Sequence, residues 1–418
     1  MPDFSSSRRA VVGAGVATAA AWVAGCAVSP KAARPRVVVV GGGWGGLGAA
    51  RTLATSGQVA VTMIEPNDRF MSCPLSAHYV AGFGREADYQ RSYANIDRQG
   101  IQRVRERVTE IDRSAAVVVA GGQRIGYDFL VLSPGIDYME EAVQGYAAAR
   151  EQLPVGFRAF EQAAVRRQVD AFLERGGEFV ITVPKPPLRC PPAPYERAFL
   201  IAAQMKRRGT KGKIIIVDAS PNPMPMPIAA PIVGAMKSLY AAQIEYVTNT
   251  EVSAVDIGRR LLVTPTGDIG FTAANMVLPM RAPALIRSAR LGERWAAVKL
   301  PSFLSQADDK IYVVGDAQGT PLPKSGHLAF GCGKQVAADI VRRIAGQPAP
   351  VASGPVTLPG AICWAAVTHD EAIMINVTPS VEAGQPPKLA FQVDPRHNKA
   401  SGQGSLQWGD SMWNQMLG

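Results

Sequence analysis

The chain has 418 residues, of which 47% are hydrophobic and 19% are charged, a composition typical of a globular protein. This length exceeds what one ordinary core accommodates, so two or three domains are expected. The formal net charge is +10, but the lysines and arginines are scattered, with no basic helix or basic run interleaved with aromatics. A nucleic-acid partner is therefore disfavoured, whereas an acidic protein partner or an anionic substrate would suit this charge.

The amino terminus has the pattern of an export signal. Arg8 and Arg9 precede a stretch rich in alanine and glycine that ends in small residues, as in a twin-arginine signal. We predict that residues 1–27 are this signal and that the protein is periplasmic; a membrane anchor is the alternative, but a segment so poor in leucine would insert weakly. The letters "VAGC" also fit a lipoprotein processing site, so lipid attachment at Cys26 and cleavage after Ala27 both stay open.

The stretch "RPRVVVVGGGWGGLGAARTLATSGQVAVTMIEPN" predicts a strand, a glycine turn, a helix and a second strand. Gly41, Gly43 and Gly46 occupy the G-x-G-x-x-G positions, which let the backbone and a helix amino terminus approach a pyrophosphate. Glu65 follows the second strand, where its carboxylate can accept hydrogen bonds from ribose hydroxyls. A glycine fingerprint with an acidic residue at this spacing predicts a dinucleotide site.

Two later stretches indicate which dinucleotide binds. "YDFLVLSPG" is a buried strand running into a turn at Gly135, and resembles a strand of flavoproteins with two dinucleotide-binding domains. "KIYVVGDAQG" places Asp316 after another buried strand, resembling the motif whose aspartate holds the flavin ribityl chain. The three motifs together predict FAD rather than NAD, bound by a domain built from residues 36–150 and 275–346.

Residues 151–274 form a second predicted α/β unit. The loop that would carry a second glycine fingerprint reads "KPPLRCPPAPYER". Prolines lack backbone N–H donors and their rings block close approach, so a pyrophosphate would be poorly held. We therefore expect no nicotinamide cofactor in this Rossmann-like middle domain.

From residue 347 to 418 the pattern changes again, with a linker rich in proline and glycine followed by strand-like runs. This predicts a small α+β domain that ends in a docked helix. The whole pattern predicts an α/β fold of the glutathione-reductase-like type, with two dinucleotide-binding domains and this small third domain. The carboxyl-terminal stretch shows no amphipathic helix of useful length for a membrane surface.

The chain has five cysteines. An exported protein can form disulfides, and with Cys26 lipidated or removed, four remain: Cys73, Cys190, Cys332 and Cys363. Four cysteines allow three full pairings, and the sequence alone does not choose among them. No Cys/His spacing indicates a metal site, and the heme attachment motif C-x-x-C-H is absent, so a cytochrome would have to be a separate chain.

From "VVVVGGGWGG" to "SMWNQMLG" the chain resembles the flavoprotein subunit of flavocytochrome c sulfide dehydrogenase. The most specific element is "RCPPAPYERA", supported by "IEPNDRFMSCPLS" and "LPKSG". The resemblance implies that Cys73 carries FAD through a thioether to the flavin 8α carbon, and that Cys190 and Cys363 form a redox disulfide beside the flavin. It also implies that Glu196 is the acid/base group, that sulfide is oxidised, and that electrons pass to a c-type cytochrome subunit on a separate chain.

The chemistry of these cysteines agrees with the resemblance. A thiolate at Cys73, in a loop that runs back along the cofactor in this fold, could add to the methide form of the flavin; a buried free thiol is the alternative. Cys190 precedes a helix and lies between Arg189 and Arg197, so we expect its thiolate to be stabilised by the helix terminus and by guanidinium charge. A purely structural Cys190–Cys363 disulfide is the alternative.

One segment departs from the resemblance. "SGHLAFGCGKQ" places His327 and Cys332 where that family usually has a polar segment near the flavin. We expect a packed histidine and a spare thiol there. This departure leaves open a non-catalytic paralogue that binds sulfane sulfur or docks on a cytochrome. A sulfide:quinone oxidoreductase is the other alternative.

Overall fold

The computed structural model describes residues 34–349 and 354–418. The predicted export signal, residues 1–27, and the predicted lipid attachment at Cys26 lie outside the described residues. Both stay predictions. Within the described ranges, no helix combines the length and apolar character that crossing a bilayer requires.

The strands of the described residues are mostly short. In chain order they are β1 (Arg36–Val40), β2 (Ala60–Ile64), β3 (Arg69–Met71), β4 (Gln90–Ser92), β5 (Gln102–Val104), β6 (Val108–Asp112), β7 (Val117–Ala120), β8 (Gln123–Gly126), β9 (Phe129–Leu132), β10 (Asp137–Tyr138), β11 (Gly177–Val183), β12 (Gly212–Asp218), β13 (Ile244–Val247), β14 (Ala254–Asp256), β15 (Leu261–Val263), β16 (Ile269–Gly270), β17 (Ala273–Asn275), β18 (Met280–Arg281), β19 (Val298–Lys299), β20 (Leu304–Ser305), β21 (Ile311–Val313), β22 (Val356–Thr357), β23 (Ala361–Ala366), β24 (Ala372–Val381) and β25 (Lys388–Val393).

The α-helices of the same residues are α1 (Trp44–Ser56), α2 (Ala77–Ala81), α3 (Ala94–Arg98), α4 (Tyr146–Ala149), α5 (Gln162–Arg175), α6 (Ala193–Arg208), α7 (Ala229–Leu239), α8 (Ala284–Ser288), α9 (Gly326–Ile344) and α10 (Lys399–Leu417). Short 3₁₀ turns occur at Glu86–Tyr89, Glu140–Ala142, Met226–Ile228 and Gly315–Ala317.

The first sheet has seven strands in the order β19-β20-β21-β9-β1-β2-β5. The five strands from β21 to β5 run parallel, and β1 reads as a continuous valine run because a parallel strand is covered on both faces. Helices α1 and α9 cover this sheet and touch at glycines: a Cβ on Gly48 would lie 2.3 Å from the Phe330 carbonyl oxygen. The carboxyl ends of β1, β2, β9 and β21 therefore meet at one edge.

The second sheet contains β13-β12-β11-β17, all parallel. Its strands come from residues 177–275, and its core packs α5, α6 and α7 against the sheet. Because β9 precedes this segment and β21 follows it, the first sheet contains strands from before and after the second sheet in the sequence. The predicted fold class is confirmed, whereas the domain limits 36–150, 151–274, 275–346 and 347–418 stay predictions.

The third sheet is antiparallel and consists of β22, β24, β23 and β25. After it comes α10, a docked terminal helix as predicted. Trp408 of α10 stacks on Trp44 of α1, with ring centroids 5.7 Å apart and planes at 7°. Trp413 lies edge-on to Phe70 with centroids 5.7 Å apart. This helix is 19 residues long, longer than the sequence had indicated, and its buried face is turned to the first sheet's domain.

Candidate functional site

A cleft of about 990 Å³ opens at the carboxyl edge of the first sheet. Its walls come from the turns that follow β1, β2, β9 and β21, where the sheet's strand order reverses direction, which is the usual ligand position in such folds. The volume is at the upper end of the range for small-molecule and cofactor sites. Five of the predicted cofactor residues line it: Gly41, Gly43, Glu65, Gly135 and Asp316.

The glycine turn after β1 has the geometry that a phosphate requires. Gly41 has φ +97°, and a Cβ there would lie 2.3 Å from the Ser133 carbonyl oxygen. A Cβ on Gly46 would lie 1.8 Å from the Gly41 carbonyl oxygen, so this glycine lets α1 close on the turn. At Gly43 a Cβ would meet nothing within 4 Å, because this residue faces the cleft. Each of the three predicted glycines thus has its own role in the turn.

Glu65 is buried at the end of β2 and already has donors. Its Oε2 accepts from the Gly42 N–H at 2.8 Å, and its Oε1 accepts from the Asn67 N–H at 2.9 Å and from Asn67 Nδ2 at 2.6 Å. Tyr93 donates its hydroxyl to the Gly42 carbonyl at 2.8 Å. The carboxylate therefore also holds the glycine turn in place, beside its predicted role with the ribose.

Asp316 supplies an unmatched acceptor to the cleft. Its Oδ2 lies 3.2 Å from Arg189 Nε, while its Oδ1 is buried and has no hydrogen-bond partner among the described residues. A buried carboxylate oxygen without a donor costs free energy, which a ligand hydroxyl would recover. Gly135, with φ +76° and open space at its Cβ position, leaves room beside it. The glycine turn, the cleft and this oxygen fit FAD.

The loop before α6 brings the predicted redox cysteines to one place. Cys190, at φ +49°, donates its N–H to the Lys324 carbonyl at 2.9 Å. The next residue, Ser325, places its Oγ 3.4 Å from Cys363 Sγ. The four described cysteines are free thiols, so the structure brings this pair together in the reduced form.

The prediction that the Cys190 thiolate is stabilised is wrong for the reduced form. Burial, followed by the neighbouring Cys363, Glu196 and Cys73, raises the pKa of Cys190 well above its ordinary value. Arg189 lowers it, as the sequence suggested, but does not outweigh burial. Burial likewise raises the pKa of Cys363, while Ser325 opposes the change through its hydrogen bond. The thiol forms of this half-buried pair are favoured while it is reduced.

Glu196 lies on the first turn of α6, beside both thiols. Burial raises its pKa from 4.5 to about 7. Two groups act in the opposite direction: the Ala366 N–H, which donates to Oε1 at 3.2 Å, and the charge of Arg197. A carboxyl group with this pKa exchanges protons efficiently near neutral pH. Its position and pKa suit the acid/base role that the resemblance implied.

Cys73 is half-buried in the loop after β3. Its Sγ accepts from Gln162 Nε2 at 3.1 Å and lies 3.5 Å from the Phe157 carbonyl oxygen. Cys73 does not line the cleft itself, but Met71, two residues earlier, does. The predicted attachment residue is therefore at the margin of the cofactor site.

Three polar residues of the site were not predicted from the sequence. Gln162 holds Cys73, and Ser325 contacts Cys363. Lys324 is buried and donates Nζ to the carbonyls of Asp316 and Gln318, both at 2.8 Å; burial lowers its pKa to about 8. Lys324 and Ser325 belong to the "LPKSG" segment, whose part in the family resemblance could have indicated them. Gln162 had no such signal.

His327 and Cys332 both lie in packed surroundings. His327 Nδ1 accepts from the Ile362 N–H at 3.2 Å, its ring lies 5.7 Å from that of Trp408, and burial lowers its pKa. It is the packed histidine that was expected. Cys332 is buried in the first core, and burial raises its pKa. Within the described ranges, no cluster of His, Cys, Asp and Glu could hold a metal ion.

The second sheet ends in a different kind of site. Asp218, the last residue of β12, is buried and accepts hydroxyl hydrogen bonds from Tyr195 at 2.5 Å and Tyr246 at 2.8 Å. The Ser220 N–H donates to its other oxygen at 2.8 Å. An acidic residue at the end of the second strand of such a unit often binds a ribose. Here its oxygens are already occupied by the chain's own donors.

These features define an α/β flavoprotein oxidoreductase with two Rossmann-like units, and FAD is the cofactor of the first. Residues 162–279 match the family model described as "Sulfide dehydrogenase (flavocytochrome c) flavoprotein chain, central", and residues 35–167 match "Pyridine nucleotide-disulphide oxidoreductase".

Among curated proteins, the chain is similar to the mitochondrial sulfide:quinone oxidoreductase of Mus musculus, with 22% identity over 310 residues, 69% of this chain and 67% of that protein. It is 23% identical over 339 residues to the sulfide-quinone reductase of Aquifex aeolicus, covering 75% of this chain and 77% of the relative. The crystal structure of the Aquifex aeolicus sulfide:quinone oxidoreductase superposes with a TM-score of 0.77 at 19% identity, over 92% of each chain.

Proposed function

We propose that the protein oxidises sulfide with Cys190 and Cys363 as a redox pair, and that its electrons leave to a c-type cytochrome on a separate chain. The observation that carries the proposal is the contact of both cysteines with the Lys324–Ser325 segment, whose Lys324 also binds the backbone of Asp316 in the cofactor cleft. The central family model and the sulfide-oxidising relatives support it.

In the oxidised enzyme Cys190 and Cys363 are joined as a disulfide. HS⁻ attacks one sulfur, the S–S bond breaks, and the products are a persulfide on one cysteine and a thiolate on the other, with no net loss of electrons. Glu196, whose pKa is about 7, accepts the proton when H₂S enters and can return it to a leaving sulfur species. FAD, when bound, would accept the two electrons that are released as the persulfide and the thiolate join in a trisulfide, and would pass them one at a time to the next carrier.

The middle unit supports an acceptor other than a nicotinamide cofactor. Asp218 is occupied by Tyr195, Tyr246 and Ser220. The loop after β11 contributes prolines where phosphate-binding N–H groups would be needed. Both features leave little of a second dinucleotide site.

We further propose that Cys73 holds FAD through a thioether and that residues 1–27 direct the folded holoprotein to the periplasm by the twin-arginine route. A cofactor lost outside the cytoplasm would have no pool to replace it, so covalent attachment suits an exported flavoprotein. Cleavage after Ala27 and lipid attachment at Cys26 give mature chains of different mass, which mass spectrometry of the exported protein distinguishes.

A second candidate is a sulfide:quinone oxidoreductase, because the relatives quoted above carry that activity in their names. The first proposal expects rapid reduction of a c-type cytochrome and slow reduction of a soluble quinone analogue by sulfide. The reverse ratio supports the second candidate. Purification from the native membrane and soluble fractions, followed by heme and flavin spectra, shows whether a cytochrome accompanies the chain.

The redox pair is tested by anaerobic mixing with sulfide while flavin absorbance is followed. Cys190→Ser should abolish flavin bleaching and leave FAD bound, because the disulfide can no longer form. Cys332→Ala, in a buried thiol away from the pair, is the matched control and should bleach like the unaltered protein. Bleaching of Cys190→Ser at the normal rate would refute the mechanism. An unaltered protein that stays yellow in sulfide would instead indicate a non-catalytic paralogue.

A further inference from the structure

The sulfur of Cys73 is held by two contacts of different kinds. Gln162 Nε2 donates to Sγ at 3.1 Å, and the Phe157 carbonyl oxygen lies 3.5 Å from the same atom. The first contact favours a sulfur with negative charge, since the amide N–H donates to it. The second can be made only by the protonated thiol, which donates to the carbonyl.

Loss of the Cys73 proton leaves the Phe157 carbonyl satisfied. Arg189 Nη1 donates to the same oxygen at 2.8 Å. Formation of a thiolate therefore removes one weak S–H hydrogen bond without creating a buried acceptor that lacks a donor. The pocket accommodates both protonation states.

Two arginines contact the backbone segment beside Cys73: Arg189 donates to the Phe157 carbonyl and Arg197 to the Gly156 carbonyl. Arg197 is 4% exposed, and its hydrogen bonds go to neutral oxygens, the Val155 carbonyl at 3.0 Å, the Gly156 carbonyl at 2.5 Å and Asn275 Oδ1 at 2.7 Å. Burial lowers the pKa of Arg197. Burial also acts to lower the pKa of Arg189, but Cys73 and Asp316 outweigh it and raise that pKa.

Arg189 lies close to Cys73, since Arg189 Nη1 and Cys73 Sγ both contact the Phe157 carbonyl oxygen. A guanidinium group at this position attracts a negatively charged sulfur.

Gln162 itself is incompletely bonded. It begins α5 and its side chain is 0% exposed, yet Oε1 has no hydrogen-bond partner among the described residues. A buried amide oxygen without a donor costs free energy. The Gln162 side chain stays buried although its oxygen lacks a donor, and its nitrogen donates to Cys73. This arrangement indicates a role for Gln162 at Cys73 and a ligand that donates to Oε1.

We propose that Gln162 is the positioning residue for covalent attachment of FAD, and that its amide orients and stabilises the Cys73 thiolate that forms the thioether. This inference rests on the proposed function, which places the thioether at Cys73. Gln162 acts through the sulfur and does not itself react.

When FAD is bound, the Cys73 sulfur would add to the flavin 8α carbon after that methyl group has lost a proton, and one C–S bond would form. The sulfur lone pair would supply the two electrons of this bond, so the flavin ring would be left reduced by two electrons. Dioxygen or the enzyme's one-electron acceptor then reoxidises the ring. The Cys73 proton, lost beforehand, goes to solvent.

The test follows attachment rather than turnover. Full-length protein is produced with limiting flavin and then supplied with FAD, and the acid-stable flavin is measured over time at several pH values. Gln162→Met, which keeps the volume and removes the donor, should attach FAD at least tenfold more slowly. Its half-maximal rate should also move to higher pH, because a thiolate without the amide donor forms less readily. Total FAD bound before acid treatment should be unchanged.

Gln162→Glu keeps the shape and replaces the donor by a carboxylate, and should be slower still at high pH. This variant decides the matter if Gln162→Met does not fold. Gln204→Met is the matched control, since Gln204 is an equally buried glutamine on α6; it should keep the rate and the pH profile.

The outcomes separate the two proposals. If the unaltered protein forms acid-stable flavin and the Gln162 variants form it at the same rate with the same pH profile, the role of Gln162 is refuted and the thioether stands. If the unaltered protein forms no acid-stable flavin at any pH, the thioether and the role of Gln162 fail together, while sulfide-dependent bleaching still tests the redox pair.

Discussion

The backbone N–H of Ala366 donates to the carboxylate of Glu196 at 3.2 Å. Ala366 ends β23, the strand that also carries Cys363. One strand of the third sheet therefore supplies a redox cysteine and a hydrogen bond to the acid/base residue on α6. The third sheet completes a site whose other half belongs to the middle unit, which explains why residues far apart in the chain act together.

Glu196 should give sulfide oxidation a pH dependence centred near neutral. Burial raises its pKa to about 7, so the carboxylate that accepts a proton is lost as pH falls through this value. We expect flavin reduction by sulfide to slow below pH 7, and Glu196→Gln to lower the rate by about 10²- to 10⁴-fold and to remove this limb. Stopped-flow reduction between pH 5.5 and 9 measures both. A Gln variant with the normal rate and limb would exclude Glu196 as the acid/base group.

The same pKa gives a stability prediction with a definite sign. The folded protein binds the Glu196 proton more tightly than the unfolded chain, so this group stabilises the fold below pH 4.5 and the contribution is lost as pH rises through about 7. The change from 4.5 to about 7 corresponds to about 3 kcal/mol. The free energy of unfolding of Glu196→Gln, relative to that of the unaltered chain, should therefore increase as pH rises from 5 to 8. Denaturant unfolding measures this difference. A constant difference across this range would contradict it.

The cofactor half of the site was accessible from the sequence because its requirements are local. Gly41, Gly43 and Gly46 must be glycines for reasons of φ and close approach within a few residues of the turn, and Glu65 follows at fixed spacing. Asp316 stood out because it follows a buried strand and a glycine. Such constraints leave a pattern in the letters themselves.

The redox half was only partly accessible. Cys190 and Cys363 are 173 positions apart, and only the resemblance paired them. The predicted direction of the Cys190 pKa shift was wrong. The neighbouring letters show the adjacent arginines, but they do not show that the side chain is buried by distant residues. Gln162 was missed because its contact with Cys73 spans 89 positions and has no local signature.

Asp316 should contribute to FAD affinity through its unmatched Oδ1. In a Cys73→Ser background, where only non-covalent contacts hold FAD, Asp316→Ala should weaken binding by about tenfold to a hundredfold, because a hydrogen bond to a charged group contributes about 1.5–3 kcal/mol. Fluorescence titration of the apoprotein measures the dissociation constant. Glu245→Gln, at an exposed carboxylate paired with Lys213, should leave it unchanged. Equal affinities for both variants would show that Asp316 does not contact the cofactor.

Gly46→Ala should disrupt the glycine turn. The new Cβ would lie 1.8 Å from the Gly41 carbonyl oxygen, so α1 or the turn must move. We expect a lower melting temperature and a loss of bound FAD. Gly234→Ala is the control: Gly234 lies within α7, its Cβ would meet nothing within 4 Å, and alanine should stabilise this helix by up to about 1 kcal/mol. Retention of a full complement of FAD by Gly46→Ala would mean that the close approach is relaxed in solution.

Cys73→Ser tests whether FAD is attached to the chain. Covalent attachment tends to raise the flavin potential, which suits a cofactor that takes electrons from a thiolate and gives them to a heme. Acid precipitation of the unaltered protein should leave the yellow colour in the pellet, and Cys73→Ser should release it to the supernatant. A peptide digest should locate the flavin mass on the fragment that contains Cys73. Cys332→Ala, at the buried thiol on α9, should keep the colour in the pellet. Release of FAD from the unaltered protein by acid would make Cys73 an ordinary half-buried thiol.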